Sequence, residues 1–206
     1  MGVVVYVAID VGLVFLRPHF SVLHNAESDY GSRGPYDWVM DVNFVLRCLV
    51  TLAAIAAVAS VVPDRARVQR GLRLLGVWAV ASGLLAFLPD DPVGTKTHAA
   101  GAAHLLFALI AFVAVVAGTF ATLRGLRADS RFAPVRRPLL VLALAAVVAV
   151  VLLGQAGLGV HSLGGLWEKT FLGCEMAWIA LLAGWCAHLA RPDAASVPAA
   201  VSLGAG

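Results

Sequence analysis

The chain has 206 residues, of which 61% are hydrophobic and only 13% are charged. About 25% of the residues in a water-soluble domain are charged, so this composition excludes an ordinary soluble domain and predicts a polytopic membrane protein. The net charge of +3 does not indicate nucleic-acid binding, because the arginines fall in short segments between apolar runs, where they set the orientation of membrane helices.

Six apolar runs, bounded by charged residues, proline and glycine, predict six transmembrane helices. The predicted helices span residues 2–17, 38–62, 72–89, 98–123, 138–160 and 166–190. They fill most of the chain, which leaves no room for a separate soluble domain. We therefore expect one all-α membrane domain over residues 1–190, followed by a disordered cytoplasmic tail over residues 191–206.

Arginines concentrate in two of the predicted connections. One follows the second helix and the other follows the fourth; they contain Arg65, Arg67 and Arg70, and Arg124, Arg127, Arg131, Arg136 and Arg137. The positive-inside rule places both connections in the cytoplasm. We therefore expect a multi-pass protein of the cytoplasmic (inner) membrane with both termini in the cytoplasm.

The other three connections carry half of the acids. They contain the segments NAESDYGSRGPYDW, PDDPVGTKTH and HSLGGLWEK. The first connection is about twenty residues long, and loops of that length are usually functional or disordered. Its aromatic residues favour a segment that packs at the membrane interface. Polar chemistry is thus expected at the outer end of the bundle.

The order of the motifs in these connections resembles a known family. Residues 25–31 (NAESDYG) follow the first helix, residues 87–91 (FLPDD) precede the fourth, and residues 165–169 (GLWEK) open the sixth. The pattern is similar to a widespread bacterial and archaeal family of six-span membrane proteins of unknown function with Ser-Asp-x-Gly, Phe-Pro-x-Asp and Gly-Leu-x-Glu-Arg motifs. Lys169 stands where that family often has arginine, and Asp10 is not a usual feature of its first helix. The resemblance implies a fold and no reaction.

Size, number of spans and placement of acids also resemble, more remotely, the small integral-membrane terpene cyclases. Those proteins are compact helical bundles that use acids facing the membrane to protonate a prenyl chain. The likeness is an analogy and not a match of motifs.

Acids in or beside the apolar runs are the candidate catalytic residues. An ionised carboxylate costs at least about 3 kcal/mol at the bilayer centre, so an acid there faces protein, water or substrate. Glu175 and Asp10 lie near the middle of predicted helices, and Asp29 and Asp41 lie toward the outer end. A buried, neutral carboxylic acid can donate a proton. The alternative for the outer acids is a structural role in helix capping or local turns, as for Asp37.

Arg47 lies one to two turns deeper than Asp41 in the second helix, and a buried guanidinium needs a partner. Glu175 and Asp10 are the expected partners. If Glu175 forms this ion pair it is ionised and unsuited to donate a proton, which leaves Asp41, Asp29 or Asp10 as the donor.

Residues near these acids are candidate contacts for a substrate. The aromatic face of Trp178, three residues after Glu175, is placed to stabilise a carbocation, and His104 is placed to orient or reprotonate an acid. Core packing or an interfacial aromatic belt is the alternative for the aromatic residues. The candidate substrate-binding set is Glu27, Tyr30, Trp38, Phe44, Arg47, His104, Glu168 and Trp178.

The histidines and acids do not predict a cofactor site. The histidines lie at unmatched depths in the predicted bundle, unlike a haem-binding pair or a zinc site. In residues 90–94 (DDPVG), glycine replaces the third carboxylate of an aspartate-rich motif that binds magnesium-diphosphate. We expect no metal, no cofactor and no nucleic-acid partner.

Together, these features predict an integral-membrane enzyme that takes a hydrophobic, prenylated small molecule from the lipid bilayer into an apolar cavity. The most concrete form is a protonation-initiated terpene cyclase, in which a carboxylic acid protonates an alkene or epoxide and a second carboxylate or histidine removes the final proton. The alternative is a non-enzymatic membrane carrier or an accessory subunit. Both a monomer and a homo-oligomer are compatible with the sequence.

Overall fold

A computed structural model describes residues 1–91, 95–157 and 162–191. Within these residues the chain is all α, as predicted, with two short 3-10 helices at Ser28–Gly31 and Ser130–Phe132. Most of the predicted tail, from residue 192 onward, lies outside the described residues. The six α-helices are α1 (Gly2–Leu16), α2 (Asp37–Val61), α3 (Arg65–Leu85), α4 (Ala99–Leu126), α5 (Ala133–Ala156) and α6 (Gly164–Leu189).

Four of the described helical segments are long and apolar enough to cross a membrane. They are Asp37–Val61, Ala99–Leu126, Ser130–Ala156 and Gly164–Leu189. Helix α1 is apolar but has only 15 residues, which at 1.5 Å per residue is shorter than the ~30 Å hydrocarbon layer. Helix α3 opens with several arginines. A helical membrane protein is therefore supported, and the crossing by all six helices and the cytoplasmic termini stay predictions.

Two helices begin earlier than their apolar runs. Helix α3 starts at Arg65 rather than at residue 72, and α5 starts at Ala133 rather than at residue 138. Arginine is a good helix former whose long side chain can carry its charge away from an apolar surface. Pro134 lies in the first turn of α5, where its missing N–H needs no helical partner. The predicted starts of α3 and α5 were therefore wrong, because each helix begins before its apolar run.

Glycines allow α3 and α4 to pack closely. A Cβ atom at Gly71 would meet the backbone of Thr122, and one at Gly125 would meet the backbone of Arg67. Small residues at such contacts let two helix backbones approach, which strengthens packing between membrane helices. This contact fixes the end of α4 relative to the start of α3.

The long connection between α1 and α2 folds onto the bundle. Arg17 donates hydrogen bonds of 2.6 Å to the carbonyl oxygens of Tyr30 and Ser32. The backbone N–H of Leu166 donates to the carbonyl of Leu23 at 3.0 Å, which holds the connection against the start of α6. Tyr30 of this connection is buried, whereas Tyr36 and Trp38 are exposed; packing at the membrane interface stays a prediction. We call the end of the bundle that carries this connection the acidic end.

Candidate functional site

A cavity of about 450 Å³ opens at the acidic end of the bundle. Its polar lining residues include Ser28, Asp29, Asp90, Asp91, His104 and Glu168. Its main apolar lining residues are Leu105, Ala108, Leu109, Phe112 and Leu153 of α4 and α5. We call it the acidic cavity. An apolar wall with a few converging polar groups is typical of a small-molecule site.

Three of the segments that stood out in the sequence meet at this cavity. Ser28 of segment 25–31 donates a 2.6 Å hydrogen bond to Asp90 of segment 87–91. Lys169 of segment 165–169 donates from Nζ to the carbonyl of Asn25 at 2.6 Å. Residues far apart in the chain are thus joined by direct hydrogen bonds around one site.

Asp29 lies in the 3-10 helix and is only 1% exposed. Its Oδ2 atom accepts hydrogen bonds from Nδ2 of Asn25 at 2.8 Å and from the backbone N–H of Ala26 at 3.1 Å. Its Oδ1 atom accepts no hydrogen bond from any described residue. Burial raises the pKa of Asp29; the Asn25 hydrogen bond opposes this effect and the nearby charge of Asp90 adds to it. A carboxyl group held through one oxygen in this way is suited to carry a proton on the other.

His104 and Asp90 lie close together in the lining of the cavity. Nδ1 of His104 lies 2.6 Å from the carbonyl oxygen of Leu88, which can only accept, so Nδ1 carries a proton and Nε2 of the neutral ring is the acceptor. That Nε2 atom lies 4.0 Å from Oδ2 of Asp90. The ring packs edge-on against Phe44, with centroids 5.9 Å apart.

The remaining acids of the cavity lie in contrasting surroundings. Glu168, in the first turns of α6, is 7% exposed. Asp91 accepts hydrogen bonds from the backbone N–H of His98 at 2.5 Å and pairs with its ring at 2.9 Å. These bonds lower the pKa of Asp91, whereas burial raises that of Asp29. Two carboxyl groups whose pKa values move apart are the usual basis for separate acid and base roles at one site.

The expected partners of Arg47 were wrong. Arg47 forms a buried ion pair through Nη2 with Oε1 of Glu27, and not with Glu175 or Asp10. Tyr6 completes the group: its hydroxyl donates to Oε1 of Glu27 at 2.8 Å and accepts from Arg47 at 3.1 Å. Glu27 reaches this depth because the α1–α2 connection folds onto the bundle. Two candidate substrate contacts, Glu27 and Arg47, therefore contact each other and hold the segment that carries Asp29.

Three of the four candidate catalytic acids do not line the acidic cavity. Asp10 in α1 and Asp41 in α2 are half-buried elsewhere in the bundle. Glu175 in α6 is 1% exposed, and neither of its oxygens has a hydrogen-bond partner among the described residues. With Arg47 paired elsewhere, this burial favours the neutral acid at Glu175. Of the four acids, the structure brings only Asp29 to the cavity.

We expect Glu175→Leu to stabilise the protein. The carboxyl group has no described partner to lose, and a buried polar group without one costs about 1–3 kcal/mol. The free energy of unfolding in detergent should therefore rise by about 1 kcal/mol, and Glu175→Gln should leave it nearly unchanged. A clear loss of stability in Glu175→Leu would contradict this prediction and point to a polar partner for the carboxyl group.

The candidate substrate contacts separate into two groups. Glu168 and His104 line the cavity, and Phe44 packs against His104. The other candidates do not line it: Trp38 is 61% exposed and Trp178 is fully buried in the core. Tyr30 also lies outside the lining, with Nζ of Lys169 5.3 Å from its ring centroid.

The sequence did not predict that Ser28 and Asp90 form a hydrogen bond and line the cavity together. Asp90 belongs to residues 90–94, which were interpreted only through the absent third carboxylate of a diphosphate motif. Across residues 1–91, 95–157 and 162–191, no group of three or more His, Cys, Asp and Glu side chains is arranged to hold a metal ion. One histidine considered for haem, His161, lies outside the described residues.

Comparison with known proteins identifies a family but no activity. A family model described as "Protein of unknown function (DUF998)" matches residues 1–185. No curated protein and no solved structure matches the chain. The family match agrees with the sequence prediction of a family of unknown function.

Proposed function

We propose that this chain, which belongs to the DUF998 family of unknown function, is an integral-membrane enzyme that protonates a lipid-soluble isoprenoid in the acidic cavity. The most concrete form is a protonation-initiated terpene cyclase. Its substrate would be a prenylated small molecule with a terminal alkene or epoxide.

The observation that carries this proposal is the cavity with both apolar and acidic lining, Asp29 included. The apolar side chains of α4 and α5 offer a surface for a prenyl chain. The reactive group of a bound substrate would lie beside a buried carboxyl group whose pKa is raised and beside the acceptor nitrogen of His104. Proton donor and proton acceptor would thus serve one bound molecule.

In the proposed reaction, Oδ1 of Asp29 delivers its proton to the alkene or epoxide. The O–H bond of Asp29 breaks, and a C–H bond forms on the alkene, or an O–H bond forms as the epoxide C–O bond opens. An internal double bond then supplies its electron pair to the carbocation and closes a ring. Nε2 of His104 removes a proton from the adjacent carbon and then releases it to solvent, while Asp29 regains one from solvent, so the product is an isomer of the substrate.

The other acids have an electrostatic role in this scheme. A carbocation is stabilised by negative charge that is already in place when the cation forms. Asp91, whose pKa is lowered by its bonds to His98, supplies such a charge at the cavity wall. Asp90 holds Ser28 and faces His104, so it stabilises the imidazolium after the final proton transfer.

A membrane carrier is the second candidate, because the same amphipathic cavity would also hold an amphiphile that does not react. The two functions differ in their need for a membrane. A cyclase works in detergent, whereas a carrier needs a closed vesicle across which to move its cargo.

Incubation of the detergent-purified protein in heavy water with a panel of prenylated acceptors tests the enzyme function. We expect an isomer with a new retention time, detected by liquid chromatography and mass spectrometry. An alkene acceptor should carry one solvent deuterium on carbon, whereas an epoxide acceptor should carry it on the new hydroxyl group, where it exchanges, and is identified by retention time alone. Heat-denatured protein is the control for spontaneous cyclisation. Recovery of every acceptor unchanged, together with vesicle uptake of one of them, would overturn the cyclase in favour of the carrier.

A further inference from the structure

A second cavity lies at the opposite end of the bundle from the acidic cavity. It has a volume of about 630 Å³ and lies where α4 ends and α5 begins. Its floor is apolar and is formed by Phe120, Leu123 and Leu140; its rim is formed by Arg124, Arg127, Arg136 and Arg137. We call it the arginine groove.

The four arginines of the groove have no acidic partner within the described part of the chain. The nearest acids in sequence are already paired, Asp129 with Arg131 at 2.6 Å and Asp64 with Arg67 at 2.6 Å. The bond from Arg136 to the carbonyl of Arg127, at 2.9 Å, leaves the positive charge uncompensated. Guanidinium groups gathered without carboxylates are suited to bind phosphate through paired N–H donors.

The groove also lies at the ends of apolar helices, which is where the headgroup of a membrane lipid is expected. Its two helices are among those long and apolar enough to cross a membrane, and the arginines lie at the ends of these apolar segments. Beyond the groove, α5 exposes Val141 and Leu144, and α4 exposes Val113. A headgroup at the rim would therefore leave its acyl chains against an apolar surface.

A neighbouring cavity extends the basic surface. It shares Phe120, Arg124 and Arg127 with the groove and adds Arg67 and Arg70 of α3. The arginine rim is thus continuous from α3 to α5, which gives room for more than one phosphate.

We propose that the arginine groove is a binding site for an anionic phospholipid. The phosphate lies among the four arginines, and the acyl chains lie along the exposed apolar surfaces of α4 and α5. Charge complementarity selects anionic over zwitterionic lipids, since basic pockets between membrane helices recognise anionic headgroups. This site is separate from the acidic cavity, so it does not depend on the enzyme function.

Native mass spectrometry of the detergent-solubilised protein, titrated with phosphatidylglycerol or phosphatidylcholine, tests the site. The test variant is Arg136→Gln/Arg137→Gln. The matched control is Arg65→Gln/Arg191→Gln, which removes the same charge from exposed positions outside the groove. We expect the groove variant to weaken phosphatidylglycerol binding about 25-fold, at roughly fivefold for each basic side chain, and the control to weaken it much less.

Three outcomes would overturn the proposal. Equal losses in the two variants would mean that net charge and not the groove attracts the lipid. Equal binding of phosphatidylcholine and phosphatidylglycerol would remove the selection for anionic headgroups. Displacement of phosphatidylglycerol by an equal concentration of inorganic phosphate would assign the groove to free phosphate. Should the double variants unfold, the single pair Arg137→Gln and Arg65→Gln provides the same comparison.

Discussion

Asp29→Asn is expected to lower formation of the deuterium-labelled isomer by at least about 100-fold, the lower end of the contribution of a positioned general acid. An asparagine can accept the hydrogen bonds that Asn25 and Ala26 donate to Oδ2 of Asp29, so the local fold should persist. Its amide cannot deliver a proton to an alkene or epoxide. Initial rates in heavy water, measured for the variant and the wild type at equal protein concentration, check this expectation.

The matched control is Asp37→Asn, which makes the same chemical change at the start of α2, outside the acidic cavity. It should retain the wild-type rate. Because the donor is the protonated form of Asp29 and burial raises its pKa, the wild-type rate should fall as pH rises through that pKa. An Asp29→Asn variant that melts like the wild type and still forms the product would exclude Asp29 as the proton donor.

Much of the fold could be predicted from the lengths of the apolar runs. The boundaries of α1, α2 and α6 agree with the predicted ones within a few residues, because each apolar run there ends at a polar or helix-breaking segment. The beginnings of α3 and α5 could not be found in this way. Arginine is compatible with both helix and loop, so charge alone does not mark where the backbone becomes helical.

The candidate site was predicted less completely. Asp29, His104 and Glu168 were among the candidates, since polar residues at the end of apolar helices stand out in the sequence. The partner of Arg47 could not be predicted, because the prediction compared only the depths of residues along the helices. Glu27 lies in a connection that folds back onto the bundle, and such a comparison does not include it. That fold depends on long-range hydrogen bonds such as those from Arg17 and Lys169 to backbone carbonyls, which leave no periodic pattern.

The ion pair between Glu27 and Arg47 should have the largest effect on stability of any described pair. Both side chains are almost completely buried. Glu27→Gln leaves the Arg47 guanidinium buried without a counter-charge, which is expected to cost about 3–5 kcal/mol in the free energy of unfolding. Arg47→Met leaves Glu27 unpaired and should be similarly destabilising. Unfolding of the purified variants in detergent, followed by circular dichroism, gives the two losses.

The double variant Glu27→Gln/Arg47→Met distinguishes a true ion pair from two independent buried groups. It removes both charges, so it should lose less than the sum of the two single losses, because neither partner is left unpaired. Tyr6→Phe is the control for the neutral part of the group and should cost about 2 kcal/mol, because its hydroxyl makes two hydrogen bonds of about 1 kcal/mol each. Additive losses in the double variant would mean that the charges do not interact. In each single variant, the ion pair between Glu27 and Arg47 is lost and no longer holds the segment before Asp29 against α2. Formation of the isomer should therefore fall together with stability.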